Sequence, residues 1–234
     1  MKINLILENR PYPGRGIIMG RSSDREKAVI AYFLMGRSAN SRNRILVEDD
    51  VDIRAQAFDE SLVADPSLII YSPVKILENR IIVTNGNQTD TIARLMNEDN
   101  LSFQQALDYT EFEPDAPYYT PRISSVMDLH NFNYQLSIVK TADSNPDSCS
   151  RFLYSYEAVS GKGHFIHTYD NDTQNLPSFS GEPYTVDIGD NIDTFTNMIW
   201  ESLNENNKVS LFTCYIHMKN RVFESRIMNK NEST

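Results

Sequence analysis

The stretch Lys27–Met35, KAVIAYFLM, decides how the rest of this 234-residue chain is read. A half-buried strand alternates polar and apolar positions. This one is apolar over most of its length, as a strand buried on both faces is. Outward from it, strand signals dominate. Gly16–Gly20 is short and apolar. Ser67–Leu77 and Arg80–Thr84 are rich in Ile and Val and are separated by Glu78-Asn79, which reads as a tight hairpin turn. Further strands are expected at Tyr134–Lys140, Arg151–Ala158, His164–Tyr169, Val209–His217 and Val222–Met228. Helix signals are fewer. Thr89–Asn97 places Ile92, Leu95 and Met96 on one face, with Thr89 or Asp90 as N-cap. Ser102–Tyr109 opens with a capping-box pattern, Ser102 with Gln105. Asn191–Leu203 carries Ile192, Phe195, Met198, Ile199 and Leu203 at helical spacing. Many strands with helices between their pairs predict an α+β chain with two sheets stacked face to face and helices outside, a four-layer α-β-β-α sandwich. One sheet with helices on a single face is the alternative. Residues 1–228 read as one domain and 229–234, NKNEST, as a flexible tail.

Composition narrows the class. Hydrophobic residues make up 40 % and charged residues 23 %, enough to build a core without staples. Two cysteines, Cys149 and Cys214, cannot make a disulfide framework and read as reduced thiols. No apolar run is long enough to span a bilayer, and the short one before Glu8 falls below a signal-peptide core, so a cytoplasmic location is expected. The net charge of −10 argues against nucleic acid as partner. The charge is uneven. Residues 1–44 hold nine Lys or Arg against three acids, a net of +6, on an otherwise acidic chain. A local basic focus suits a small anion better than a polymer. Exposed strand edges are compatible with a homo-oligomer.

Four segments carry polar groups beyond what folding asks. In Asn9–Gly16 prolines and glycines shape a loop that sets Arg15 between Gly14 and Gly16. It also reads as a plain turn entering a strand. In Met35–Arg44, Arg37, Arg42 and Arg44 follow a buried strand within a loop rich in amide and hydroxyl groups. The arginine fork matches phosphate oxygens, so this is the phosphate-binding candidate; a solvated loop is the alternative. In Ile81–Ile92 a strand runs through Asn85-Gly86 into a helix start, where Asn85, Asn87 and Gln88 suit a polar heterocycle. In Glu111–Arg122 three prolines stiffen a loop bearing Glu111, Glu113 and Asp115. A general base here is a carboxylate whose pKa is raised by partial burial; a rigid crossover with solvated acids is the alternative. Phosphate-cradling and dinucleotide glycine patterns are absent. His164 and His167, three apart in a strand, point to opposite faces, and no paired-Cys or His-Glu-x-x-His spacing occurs, so no metal is expected.

In order along the chain, these segments resemble the archaeal-type IMP cyclohydrolase family. The resemblance rests on Met35–Ser38 through Asn43-Arg44, Ile69–Tyr71, Val83–Gly86 with Thr89–Ile92, and Thr120–Ile123. It covers roughly residues 9–126. The Pro11–Gly16 opening looks more like bacterial relatives, and Ser72–Lys75 departs from the archaeal pattern. The resemblance implies a fold similar to the N-terminal-nucleophile hydrolases, without their terminal nucleophile. It also implies dehydrating ring closure of formamido-imidazole-carboxamide ribotide (FAICAR) to inosine monophosphate (IMP) in purine biosynthesis. That chemistry needs no cofactor. Glu113, Tyr71 and Arg44 are then the catalytic candidates. Arg37, Arg42, Asn43, Asn85, Gly86, Asp90, Arg122 and Arg15 are the substrate-binding ones. Two other readings stay open: an amidohydrolase acting on another ribotide or small amide, and a non-catalytic purine-nucleotide binder.

Overall fold

The computed structural model describes residues 1–63, 69–143 and 145–231. In chain order the first elements are α1 (Ile3–Leu7), β1 (Arg15–Arg21), β2 (Lys27–Met35), α2 (Ala39–Arg42), β3 (Arg44–Asp49), β4 (Asp52–Ala57), β5 (Tyr71–Leu77) and β6 (Arg80–Thr84). Then come α3 (Gln88–Asn97), α4 (Phe103–Leu107), β7 (Arg122–Asp128), β8 (Tyr134–Ala142), β9 (Asn145–Tyr156) and β10 (Lys162–His167). The last are β11 (Tyr184–Asp187), α5 (Ile192–Ser202), β12 (Lys208–His217) and β13 (Phe223–Asn229). The strands form two sheets, ordered β11-β10-β1-β2-β12-β13 and β3-β4-β5-β6-β7-β8-β9. Neighbouring strands pair antiparallel throughout, from β1 with β2 to β8 with β9.

The period of two in β2 explains why it is apolar along its length. Ala28, Ile30, Tyr32 and Leu34 face a core shared with Leu46, Ile53, Tyr71, Ile81, Val83 and Ile138 of the second sheet. Val29, Ala31, Phe33 and Met35 face a separate core with Ile3, Ile6 and Leu7 of α1 and Ile192, Phe195 and Ile199 of α5. On the far side of the second sheet, Ile82, Val126 and Val139 meet Ile92, Leu95 and Met96 of α3 and Phe103 of α4. Helices thus cover the outer face of each sheet. Each Val, Leu, Ile, Phe or Met among them contributes roughly 1.5–3 kcal/mol on full burial.

Local signals account for most boundaries. Glu78-Asn79 is the two-residue turn between β5 and β6, with Leu77 opposite Arg80. Ser102 caps α4 in a reciprocal box with Gln105. Tyr71 to Leu77 of the expected Ser67–Leu77 strand is β5, while Ser67 and Leu68 lie outside the described residues. The N-cap of α3 is Asn87, not Thr89 or Asp90. Thr89 Oγ1 is engaged with Thr84 Oγ1 at 2.6 Å, and Asp90 pairs with Lys75 at 2.6 Å. The tail also starts later than expected. Asn229 closes β13, its amide exchanging two hydrogen bonds with the Leu46 backbone, and Asn231 donates to the Arg42 carbonyl. Residues 232–234 lie outside the described residues. Among the described residues no helix is long and apolar enough to cross a membrane.

Candidate active site

Strands from both sheets bring Arg15, Arg44, Glu113, Arg122, Tyr71 and Tyr32 together. Arg15 opens β1, Arg44 opens β3, Tyr71 opens β5 and Arg122 opens β7. Strand ends of two stacked sheets therefore meet at one rim. The loop before β7 supplies Glu113, whose N–H donates to the Thr120 carbonyl at 2.8 Å, closing the loop on itself. Arg44 is 1 % exposed, Glu113 4 %, Arg122 6 % and Tyr71 6 %. Ionic groups this deep need partners. Arg122 Nη1 donates to Glu113 Oε1 at 3.1 Å and Nη2 to Asn87 Oδ1 at 3.0 Å. Arg44 donates to the carbonyls of Ser41 and Met35 at 2.8 and 3.3 Å. The Tyr32 and Tyr71 hydroxyls share a 2.8 Å hydrogen bond. Arg15 Nε is sealed from solvent with no partner.

Three guanidinium groups thus surround a single carboxylate, leaving a surplus of positive charge. Burial pushes Glu113 above its ordinary 4.5, against the pull of Arg15 and Arg122. Burial, reinforced by the Arg15 charge, pushes Arg44 down. Burial alone would lower Arg15 too, but the Glu113 carboxylate and the Tyr71 and Tyr12 phenols outweigh it, and the net direction is up.

Arg15 also lines an open cleft of about 200 Å³ with Tyr12, Arg37, Ser38, Ser41, Asp115, Thr120 and Tyr169. Arg37 lies 4.9 Å over the Tyr12 ring and pairs with Asp172 at 2.8 Å. Tyr12 stacks on Tyr169, ring centroids 5.9 Å apart and planes 16° from parallel. Gly14, at φ 78°, has the left-handed backbone that lets the chain turn beneath that stack, where a Cβ would run into the Tyr169 ring. A larger concavity of about 520 Å³ lies elsewhere, lined by Arg80, Met96, Ser102, Asp128, Gln135 and Tyr156. It lacks a buried cluster of opposed charges, whereas the smaller cleft adjoins one through Arg15, which makes the smaller cleft the candidate site.

The structure does not bring every expected residue to this cluster. Arg42 is exposed and holds the Gly36 carbonyl at 2.9 Å and Asn207 Oδ1 at 3.3 Å. Asn43 ties down the Asp59 backbone with two hydrogen bonds. Asp90 is turned to Lys75. Asn85 lies behind the site: its amide donates to the Pro121 carbonyl and accepts from Ile123 N and Gln88 Nε2, so it braces two loops. Gly86 serves packing, since an added Cβ would overlap Arg122 Nη1. Gly86→Ala is expected to push Arg122 off Glu113. It should depress activity more than its overpacking cost of about 1–3 kcal/mol explains, read by turnover beside urea melts. An unchanged turnover would show the pair to be dispensable.

Beyond the named candidates, Tyr12 and Thr120 of the quoted segments join the site, as do Tyr32 and Tyr169, which were not singled out in the sequence. His167 steadies the last of these, its Nδ1 lying 2.9 Å from the Tyr169 carbonyl. Donation from Nδ1 fixes the neutral tautomer and leaves Nε2 buried without a partner. Burial, with Arg10 nearby, pushes His167 down to about 3. A histidine lowered on folding stabilises above its unfolded value and loses that stability as pH falls toward its folded one. The described pair of values, 6.5 and about 3, implies a loss of roughly 3 kcal/mol between pH 7 and pH 4. Denaturant melts at the two pH values should show this difference shrink in His167→Phe.

The sequence matches the family model described as IMP cyclohydrolase-like protein over residues 12–220. The chain belongs to this family. The IMP cyclohydrolase of Methanocaldococcus jannaschii is 31 % identical over 121 residues, 50 % of this chain and 57 % of that protein. Those of Methanopyrus kandleri and Methanococcus aeolicus are 30 and 31 % identical, over 61 and 58 % of their lengths. The aligned part is therefore under two thirds of each relative. The residues matched to the IMP cyclohydrolase-like family include Tyr169.

Proposed function

We propose that this chain closes the purine ring of FAICAR to give IMP and water. The observation that carries the reading is one buried carboxylate, Glu113, held among Arg15, Arg44 and Arg122 with the Tyr32–Tyr71 pair beside them. Names of the relatives and the chemistry of the cluster point the same way. Two antiparallel sheets with helices on their outer faces support a sandwich related to the N-terminal-nucleophile hydrolases.

In this reaction the carboxamide nitrogen attacks the formyl carbon of the same molecule. One N–C bond forms and the carbonyl becomes a carbinol; its oxygen then leaves as water with the proton of the formamido nitrogen, and the C=N bond of the new ring forms. No electrons are gained or lost. Holding the reactive rotamer supplies most of the rate, since good orientation is worth roughly 7–11 kcal/mol. Proton traffic is the second task. A carboxyl raised by burial is suited to both halves of it: as carboxylate Glu113 takes the proton from the amide nitrogen, and as acid it returns one to the departing oxygen. The third task is to steady charge on the formyl oxygen. Arg44 is immobilised by two carbonyls, and Tyr71 is oriented by Tyr32. Both are fixed before substrate arrives, as electrostatic stabilisation requires. The phosphate is assigned to the cleft, which Arg37, Ser38, Ser41 and Arg15 line together.

Incubating the purified protein with FAICAR and separating the products tests the reading. Ring closure gives IMP alone. Formate with the amino ribotide would mean an amidohydrolase, and binding without turnover would mean a nucleotide receptor.

A further inference from the structure

Asp115, Thr120 and Tyr169 form a hydrogen-bonded chain whose direction is fixed by counting hydrogens. Thr120 N lies 2.7 Å from Asp115 Oδ1 and Thr120 Oγ1 lies 2.5 Å from Asp115 Oδ2. Thr120 Oγ1 is also 2.6 Å from Tyr169 Oη. A carboxylate only accepts, and a threonine hydroxyl has one hydrogen, so that hydrogen goes to Asp115. Thr120 is then the acceptor for the Tyr169 hydroxyl. The phenolic hydrogen points away from any ligand, and what Tyr169 has left for one is a lone pair.

We infer that Tyr169 Oη is an acceptor that reads a ribose hydroxyl of the nucleotide, which makes it a specificity-determining residue. The inference rests on the nucleotide reading of the site given above. Tyr169 shares the cleft wall with Arg37, Ser38, Ser41 and Arg15, the end assigned to phosphate. A phosphate dianion has no hydrogen to give, so it is not the partner. The reacting carboxamide belongs with Glu113, and the hydrogen-bonded groups nearest Tyr169 are Thr120 and Asp115. Between phosphate and base stands the ribose, whose hydroxyls are the donors of the ligand at that level. Stacking on Tyr12 and the His167 bond to its own carbonyl hold Tyr169 in one place, so the acceptor is fixed before the nucleotide binds.

The test titrates wild type and Tyr169→Phe with IMP, 2′-deoxy-IMP and 3′-deoxy-IMP in a calorimeter. For wild type, one deoxy analogue is expected to bind about 10- to 100-fold more weakly than IMP, because the buried acceptor loses its donor. In Tyr169→Phe that ratio falls toward one. Thr120→Val, of the same shape, gives a second reading: nothing then holds the phenolic hydrogen away from the cleft, and the preference for the hydroxyl shrinks as well. Equal binding of all three nucleotides by wild type, or an undiminished ratio in folded Tyr169→Phe, overturns the inference and leaves the nucleotide reading standing. Failure of wild type to bind IMP at all overturns both.

Discussion

Turnover of Glu113→Gln is expected to fall by about 10²–10⁴-fold while IMP affinity changes far less. The substitution keeps the shape and the oxygen that accepts from Arg122 Nη1. It removes the one group of the cluster that takes up and releases a proton. It also leaves Arg15, Arg44 and Arg122 with Asp115 as the remaining nearby carboxylate, so some loss of stability accompanies it, and a melt must confirm a folded variant. The distinguishing readout is the split between kcat and Kd. A loss confined to kcat marks a group that acts on the reacting atoms, whereas a loss confined to affinity would reduce Glu113 to a brace for Arg122. The pH profile of wild type adds a second check. Because burial holds Glu113 above 4.5, the acid limb of kcat/KM should have its midpoint above that value and should vanish in the variant.

Arg15→Gln is expected to weaken IMP binding by about 10- to 100-fold, the worth of a hydrogen bond to a charged group. Arg15 lines the cleft, whereas Arg44 and Arg122 spend guanidinium donors on Ser41, Met35, Glu113 and Asn87, so Arg15 is the guanidinium of the three placed to meet a ligand. The same change moves the pH profile in a direction that can be signed in advance. Arg15 is the foremost charge opposing the burial of Glu113. Without it the carboxyl is harder to ionise, and the acid limb shifts to higher pH. Unaltered affinity together with an unmoved limb would place Arg15 outside the site.

Much of the strand pattern can be read from residues alone, and the exceptions have physical causes. KAVIAYFLM declares itself because both faces are buried, so no register ambiguity arises. The β3–β4 hairpin goes unread because Glu48, Asp49, Asp50 and Asp52 crowd its exposed tip and mask a half-buried alternation. β7 hides behind Ser124 and Ser125, which are fully buried. Ser125 is satisfied by the Val83 carbonyl, and Ser124 offers its own carbonyl to Ser137. β11 is four residues long, too short to show a period. At the site, residue types are informative but convergence is not. Glu113, Arg15, Arg44, Arg122 and Tyr71 gather because four strand ends meet at one rim, a property of sheet order. Arg42, Asn43 and Asp90 have the same chemistry in sequence and are turned elsewhere by local partners. One signal was available for Tyr32: a hydroxyl inside a strand buried on both faces must find a partner, and that partner is Tyr71. Tyr169 offers no such clue, since its role depends on Thr120 and Asp115 arriving from another loop.

On this reading the nucleotide sits at the charged rim rather than in the larger concavity beside α3 and α4. A crystal structure with IMP bound tests it most directly. The phosphate is expected against Arg37, Ser38 and Ser41, with the purine reaching toward Glu113 and Tyr71. Density for IMP among Arg80, Asp128 and Tyr156, with the rim unliganded, would contradict it.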